Sequence, residues 1–357
     1  MTFLSAIILL GILIFVHELG HFIFAKLMNV KVLKFSLGFG PRILGKKIGE
    51  TEYVISAVPL GGYVKMLGEE RGDEISEDEK TRAYNFQSVW KRLSIVISGP
   101  VFNIIFAAIL FMFMYLSGVP TLLPEVGEVL PNSPAASAGL VKGDAITEIN
   151  GKSIRRWEDM AGIINKSPRI TLRFKIKRGT DIIDMPITPE KKATPNIFGE
   201  NKEVGLIGIK PSGKVSIEKQ TPAGAVVRGI IKTWELSELT LVSIVKLIQR
   251  IIPAETIGGP ILIFQMAGQQ AAQGPLSFFT FMAVISINLG ILNLLPIPIL
   301  DGGHILFLGI EAVRRRPLSD KAIMIAQKVG LAIIIFLMVF AFYNDIMRLI
   351  TGKTIPQ

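Results

Sequence analysis

Four long apolar segments are the feature of this 357-residue chain that most constrains its fold. They cover residues 3–25, about 93–116, about 276–300 and about 329–350. A helix of about 20 apolar residues crosses the hydrocarbon core of a bilayer, and a backbone in lipid must satisfy its own hydrogen bonds. The predicted fold class is therefore a polytopic α-helical membrane protein with four transmembrane helices. Half of the residues are hydrophobic and 19% are charged, which is typical of a membrane protein with a soluble part.

Basic residues in short loops predict the orientation of the chain, because cytoplasmic loops are enriched in Lys and Arg. Lys26, Lys31 and Lys34 follow the first segment, and residues 314–316 form an Arg triplet between the third and fourth. We expect these loops in the cytoplasm, and both termini and residues 118–274 on the other side. No nucleic-acid motif accompanies the net charge of +10, so we attribute it to anionic lipid and expect no nucleic-acid partner.

The sequence His17-Glu18-Leu19-Gly20-His21 lies inside the first apolar segment. Histidines four residues apart share one face of a helix and can hold one zinc ion. Glu18 is then placed to act as a general base on a water molecule. Ionisable residues within a membrane span are costly and usually functional. The chain has no cysteine, which excludes thiolate zinc ligands and disulfides.

A hydrolytic zinc site usually keeps three protein ligands, and the third is expected near the end of the third segment. Asp301 is the favoured candidate, because Pro296 and Pro298 interrupt the helix and can turn this carboxylate toward the first span. The alternative for Asp301 is a helix cap at the membrane edge. His304 is a competing ligand or a residue that orients the site. Asn293 is either a helix-packing amide or a group that binds the substrate backbone.

Two stretches between the first and second spans, 34–41 and 51–64, alternate β-branched and apolar residues and are bounded by Gly and Pro. This pattern predicts strands joined by turns. We predict an apolar β-hairpin, at about residues 31–67, that dips into the membrane beside the metal site. Residues 69–80 are mostly acidic and are predicted to be a solvated loop or helix.

A soluble insert follows the second span. Residues 127–151 predict a short helix, a glycine turn, a strand and an Asn-Gly hairpin, and further strands are predicted near 170–177 and 182–187. This stretch resembles one PDZ domain of the bacterial, circularly permuted type, and such domains bind extended peptides at a sheet edge. The predicted organisation is 1–117 with two spans and the hairpin, 118–212 as the PDZ domain, 213–275 as a surface region, and 276–357 with two spans. Within the surface region, residues 236–252 predict an amphipathic helix on the membrane.

Two motifs carry a resemblance to a known family: His17-Glu18-Leu19-Gly20-His21 and Asn293-Leu294-Leu295-Pro296-Ile297-Pro298-Ile299-Leu300-Asp301-Gly302. With them the chain resembles the site-2 protease family of intramembrane zinc metalloproteases, over nearly its whole length. The resemblance implies that His17, His21 and Asp301 bind Zn²⁺ and that Glu18 is catalytic. It also implies substrate handling by a β-loop and by a segment of the third span. The residues assigned to substrate binding are Asn293, Pro296, Gly38, Gly40, Val54, Gly61, Gly62, Gly139 and Leu140. One PDZ domain, instead of two in tandem, is a departure from the best-known members.

The function expected from these observations is zinc-dependent cleavage of transmembrane segments in single-span membrane proteins. The resemblance implies substrates such as a pre-trimmed anti-sigma factor or a remnant signal peptide, and a location in the bacterial cytoplasmic membrane. The PDZ domain is expected either to recruit an extended peptide, at the loop of Gly139 and Leu140, or to shield the active site. The rival classes are a metal transporter or an inactive scaffold. A transporter would normally show internal repeats and more intramembrane acids.

Overall fold

The computed structural model describes residues 2–69 and 75–351. Four of the described helices are long and apolar enough to cross a membrane, as predicted: Phe3–Leu27, Val89–Ser117, Pro275–Asn293 and Asp320–Thr351. The third ends at residue 293, not at about 300, because the prolines at 296 and 298 cannot continue it. The chain divides into two compact units, with residues 1–113, 225–244 and 253–357 in the first and residues 114–224 and 245–252 in the second.

The helices are α1 (Thr2–Leu27), α2 (Val89–Ser117), α3 (Pro134–Ser137), α4 (Trp157–Asn165), α5 (Pro222–Ile248), α6 (Pro260–Gln273), α7 (Pro275–Asn293), α8 (Asp301–Arg314) and α9 (Asp320–Thr351). The strands are β1 (Val32–Ile48), β2 (Thr51–Met66), β3 (Val119–Leu122), β4 (Val126–Val129), β5 (Ala145–Ile149), β6 (Lys152–Ser153), β7 (Leu172–Arg178), β8 (Asp181–Ile187), β9 (Glu190–Pro195), β10 (Asn201–Leu206), β11 (Ile209–Pro211) and β12 (Val215–Glu218). Short 3-10 helices lie at Lys80–Arg82, Tyr84–Phe86 and Ala254–Thr256.

The two long strands β1 and β2 confirm the strands predicted after the first span, and each bends back on itself. Residues 42–48 pair with 51–56, residues 52–55 also lie alongside 34–37, and residues 32–37 pair with 62–66. The result is a four-segment sheet whose interior segments are 51–56 and 32–37. Its two edges are 42–48 and 62–66. In the acidic stretch predicted at 69–80, residues 70–74 lie outside the described residues.

The sheet of β1 and β2 has one charged end and one apolar end. At the turn between the strands, Glu50 accepts hydrogen bonds from Arg82 at 2.8 Å and from Lys26 at 2.6 Å. These two partners, Arg82 foremost, lower the pKa of Glu50 to about 2. At the other end, Phe39 pairs with Val58, and their side chains are 47% and 45% exposed. The charged end therefore suits water and the apolar end suits lipid.

In the first unit, α6 and α7 pack against α1. A buried cluster joins α1, α6 and α7 through the side chains of Ala6, Leu9, Leu13, Ala267, Phe281 and Met282. The first turn of α6 has no cap within its own segment, and Asp345 of α9 supplies one. Its buried carboxylate accepts the N–H groups of Gly259 and Leu262, each at 3.0 Å. α6 is thus fixed at both its side and its N-terminus.

The second unit contains the soluble insert. Its main sheet has the strand order β6-β5-β7-β8, and Ile146, Phe174 and Ile176 are almost fully buried in its core. β7 and β8 confirm the strands predicted near 170–177 and 182–187, whereas β9 and β10 were not predicted. The ends of the insert meet, because β3 pairs with β12.

The helix predicted at 236–252 begins earlier and ends earlier than expected. α5 covers Pro222–Ile248. Thr221 caps its first turn by accepting a hydrogen bond from the N–H of Gly224 at 3.2 Å, and Pro222 suits the first helical position. Inside the first unit, Gly229 lies so close to α2 that a Cβ there would be 2.9 Å from the carbonyl oxygen of Ala108. The prediction missed this N-terminal half of the helix.

Candidate metal centre and active site

Three side chains from the two ends of the chain converge in the first unit. One turn of α1 separates His17 from His21, and their Nε2 atoms are 3.2 Å apart. Asp301 places one carboxylate oxygen 3.1 Å from Nε2 of His17 and the other 3.6 Å from Nε2 of His21. Among the described residues, this is the group of three or more His, Cys, Asp and Glu side chains that can hold a metal ion.

A tight turn carries Asp301 to the histidines. α7 ends at residue 293 and α8 begins at Asp301 itself, with Leu300 as its N-cap. A Cβ on Gly302 would overlap the backbone carbonyls of residues 294 and 295, so only glycine permits this return of the chain. Ile299 has φ +115°, a strained conformation for a β-branched residue that costs about 1–3 kcal/mol. The first turn of α8 shows no side-chain cap, so the helix-cap alternative for Asp301 is not supported.

The donor set fits a zinc ion. Zinc–nitrogen and zinc–oxygen bonds of about 2.0–2.2 Å in a tetrahedral site place neighbouring ligand atoms about 3.3 Å apart, and the observed separations are 3.1, 3.2 and 3.6 Å. Nδ1 of His21 lies 2.8 Å from the carbonyl oxygen of Ile95. An N–H at that position donates to the carbonyl and leaves Nε2 free for a metal. Three protein ligands leave a fourth position open.

Glu18 lies between the metal ligands and the sheet. Its carboxylate accepts a hydrogen bond from the backbone N–H of Val64. Gly62 is also close, because a Cβ there would lie 3.2 Å from Cγ of Glu18. Segment 62–66 is one edge of the sheet, so this acid adjoins both the three candidate ligands and a strand edge.

A cavity of about 790 Å³ opens onto these groups. Its lining includes His17, Glu18, His21 and Asp301, together with the ion pair of Arg92 and Glu311. The three candidate ligands and Glu18 therefore face one common cavity.

His304 lines the same cavity but lies outside the cluster of three ligand atoms. The structure therefore does not support His304 as a direct ligand. Burial lowers the pKa of its imidazole, so the neutral ring is favoured next to Asp301.

Sequence reasoning missed the contribution of α2. A Cβ on Gly99 would overlap Nε2 of His21 and lie 2.9 Å from Cε1 of His17, so this glycine lets α2 approach both imidazoles. Asn103 is fully buried, and its side-chain nitrogen lies 3.2 Å from Nδ1 of His17. A polar amide inside an apolar span was the available signal.

Several residues predicted to bind substrate do not line this cavity. Asn293 is the last residue of α7 and Pro296 lies in the loop after it, and neither is part of the cavity lining. Val54 is a correction: it pairs with Ser36 on one side and Gly45 on the other, so its backbone is not a free edge. Gly38 and Gly40 lie at the bend of β1, and Gly61 and Gly62 lie in the last part of β2.

The loop of Gly139 and Leu140, which was predicted to bind an extended peptide, uses the amides of both residues in its own backbone hydrogen bonds. The N–H of Gly139 donates to the carbonyl of Ala136 at 3.1 Å, and that of Leu140 donates to the carbonyl of Ala135 at 3.0 Å. Leu140 is only 3% exposed and belongs to the core. Both amides are occupied, so neither of them is free to bind a peptide carboxylate.

Comparison with known proteins places the chain in a family. The model described as Peptidase family M50 matches residues 5–337. The chain belongs to this peptidase family. It is 35% identical over 360 residues to a protein of Rhizobium meliloti (strain 1021) that has a provisional zinc metalloprotease name, and the match covers 97% of this chain and 96% of the relative. The M50 protein described here is a zinc metalloprotease, and its metal is Zn²⁺.

A second relative is the Regulator of sigma-E protease RseP of Escherichia coli (strain K12). It is 30% identical over 448 residues, covering 97% of this chain and 98% of the relative. Because this alignment is longer than the 357-residue chain, the E. coli protein has residues without a counterpart here. Among solved structures, the PDZ domain of the SdrC-like protein of Listeria innocua is 28% identical over 25% of this chain and 92% of its own, with a TM-score of 0.21.

Proposed function

We propose that this M50 protease cleaves peptide bonds within the transmembrane segments of single-span membrane proteins. The observation that carries the proposal is the cluster of His17, His21 and Asp301 beside Glu18, because α1 is long and apolar enough to cross a membrane. Ionisable groups in such a helix are costly unless they serve a function. The four helices and the family support a multi-pass protein of a bacterial cytoplasmic membrane.

Each side chain of the site has a separate role in the proposed reaction. Two imidazoles and the carboxylate of Asp301 hold Zn²⁺, which supplies Lewis-acid activation of water and of the scissile carbonyl. Glu18 accepts a proton from the attacking water and passes it to the leaving amine. The bond from the N–H of Val64 holds the Glu18 carboxylate toward the sheet.

The substrate is proposed to bind as an extended strand at residues 62–66. A peptide bond within a transmembrane helix is protected by the helix itself, and cleavage requires local unwinding. An exposed strand edge can satisfy the backbone groups that unwinding releases. Segment 62–66 is the edge that adjoins Glu18, whereas Val54 lies in the interior of the sheet. The apolar end at Phe39 and Val58 supports a sheet that enters the lipid.

The insert is proposed to act as a PDZ domain, on the extracytoplasmic side of the membrane, where both termini are also proposed to lie. It serves either to recruit the trimmed end of a substrate or to shield the active site. The basic loops near residues 26–34 and 314–316 support a cytoplasmic side for the active site. The name of the E. coli relative supports a role in stress signalling, with an anti-sigma factor already trimmed outside the membrane, or a remnant signal peptide, as substrate.

Replacement of Glu18 by glutamine tests the proposed function. Glu18→Gln keeps the size of the side chain and the three metal ligands, so we expect one zinc ion per chain and a loss of cleavage of about 100-fold or more. Co-expression with single-span proteins measures cleavage, and metal analysis of the purified chain measures zinc. His17→Ala is the control that should lose both. Undiminished cleavage by Glu18→Gln would contradict the proposal and leave room for a transporter, whose activity need not depend on that acid.

A further inference from the structure

We propose that Asn103 is a positioning residue that sets which nitrogen of His17 faces the metal. Its side-chain oxygen accepts a hydrogen bond from the N–H at Nδ1 of His17 when zinc is bound, which leaves Nε2 free as the ligand atom. The inference rests on the proposed function, because it assumes that His17 ligates zinc.

The buried amide of Asn103 is only half satisfied. Its nitrogen lies 3.2 Å from Nδ1 of His17, whereas its side-chain oxygen is buried and has no hydrogen-bond partner among the described residues. Unpaired buried polar atoms cost about 1–3 kcal/mol and are rare. An amide that is retained at such a cost, in contact with a metal ligand, indicates a functional partner.

The proton of the imidazole links this amide to the metal. A neutral imidazole carries one N–H, so an amide N–H that donates to Nδ1 requires the proton on Nε2. In that form, Nε2 of His17 has no lone pair for a metal. Rotation of the amide by half a turn exchanges oxygen and nitrogen with almost no change in shape. The oxygen then accepts from Nδ1–H, and Nε2 points toward Asp301 as a ligand.

In one orientation the oxygen of the Asn103 amide is unpaired, and in the other its nitrogen is. The amide alone therefore has no strong preference between the two orientations. Zinc supplies the preference, because it requires the lone pair of Nε2. Amide orientation and metal loading are therefore coupled. His21 differs, since the carbonyl of Ile95 at 2.8 Å can only accept and so fixes its Nδ1–H permanently.

The backbone of Asn103 is held independently of its side chain, which provides a matched control. Ser286 of α7 donates its hydroxyl hydrogen to the carbonyl oxygen of Asn103 at 2.7 Å. Ser286→Ala removes a buried hydrogen bond at the same residue without changing the partner of His17. If the hydrogen bonds at Asn103 had a purely structural role, loss of the Asn103 side chain and loss of the Ser286 hydroxyl would change zinc affinity to a similar extent.

The test is the zinc affinity of the purified full-length chain, measured by competition with a chromophoric chelator. Asn103→Leu keeps the shape but has no acceptor, and loss of such an outer partner typically costs 10–100-fold in metal affinity. We expect that loss for Asn103→Leu and none for Ser286→Ala. Asn103→Asp offers only acceptor oxygens, so its affinity should equal or exceed that of the wild type. The visible spectrum of bound Co²⁺ reports the ligand geometry in each variant.

The outcomes separate the two proposals. If the wild type does not bind zinc, or His17→Ala binds it equally well, the proposed metal site fails. If the wild type binds zinc through His17 but Asn103→Leu binds it as tightly, the role of Asn103 is overturned. If Asn103→Leu cannot be purified folded, Asn103→Asp decides, because a loss of affinity of tenfold or more would overturn the inference.

Discussion

At the scale of single residues, the metal centre depends on a missing side chain as well as on its ligands. Gly99 of α2 lies against the two imidazoles, and any Cβ there would overlap Nε2 of His21. The close approach also brings Ile95 and Asn103 within hydrogen-bonding distance of the same rings. The absence of a side chain at Gly99 thus permits two contacts that orient the rings, one between Ile95 and His21 and one between Asn103 and His17.

Substitution of Gly99 by alanine should remove the metal without unfolding the protein. The added methyl group would lie 2.6 Å from Cε1 of His21, so the ring must turn away from Asp301. We expect at least a tenfold loss of zinc affinity, measured by chelator competition, because a displaced ligand cannot complete the site. Gly11→Ala in α1 is the control, since a Cβ there meets nothing within 4 Å. That change should be neutral or stabilise the helix by about 0.5–1 kcal/mol. Equal zinc affinity in both variants would contradict the steric argument.

The three candidate metal-binding residues could be named from the sequence, and the structure brings them together, whereas their surroundings could not be predicted. A spacing of four fixes His17 and His21 on one helical face, and Asp301 was the favoured acid in the only other candidate stretch. Gly99 and Asn103 act through the distance between α1 and α2. That distance follows from packing, which periodicity does not encode.

At the scale of elements, the path of β1 and β2 decides where a substrate can bind. The sequence predicted both strands, but it did not predict how their segments pair within the sheet. Each strand bends, so residues 51–56 acquire neighbours on both sides and residues 62–66 become an edge. Strand patterns report which residues alternate, whereas edges depend on pairing between distant segments. Because the strand pattern does not show which segment is an edge, Val54 was assigned to substrate binding, although it lies inside the sheet.

The chain contains no cysteine, so disulfide cross-linking can test the proposed substrate edge. Tyr63 lies on edge 62–66 and lines the cavity of the metal ligands. Leu44 lies on the opposite edge and is 63% exposed. We expect Tyr63→Cys, combined with Glu18→Gln to prevent cleavage, to cross-link to a single-span substrate with one cysteine near its scissile bond. Leu44→Cys should give at most a small fraction of that yield, although it is accessible. Equal or higher yield at Leu44 on non-reducing gels would exclude binding at residues 62–66.

At the scale of the whole molecule, a two-stranded ribbon joins the two ends of the insert. β3 and β12 pair residue by residue from Val119 with Glu218 to Leu122 with Val215. The N–H of Leu123 then donates to the carbonyl of Lys214 at 3.0 Å. The sequence indicated the presence of this insert but not that its ends meet, because that pairing joins residues almost a hundred positions apart.

The ribbon defines a deletion that tests the role of the insert. Replacement of residues 124–213 by an Asn-Gly turn keeps β3 paired with β12, since this dipeptide suits a two-residue hairpin. It also removes Glu200, the partner of Lys246 at 2.6 Å, and partly exposed ion pairs of this kind contribute little to stability. The metal ligands and Glu18 belong to the other unit. We therefore expect one zinc ion per chain, as in the wild type, and loss of zinc would show that the metal site depends on residues 124–213.

Cleavage by the same deletion variant then distinguishes the two proposed roles of the insert. If the insert shields the active site, the variant should cleave intact single-span proteins that the wild type leaves uncut. If the insert recruits trimmed substrates, cleavage of the trimmed form should fall while zinc is retained. Adding Glu18→Gln to the deletion is the control, because it must abolish any new cleavage if the same site performs it. Cleavage of intact and trimmed substrates at wild-type rates would exclude both roles, since neither admission nor recruitment would then depend on residues 124–213.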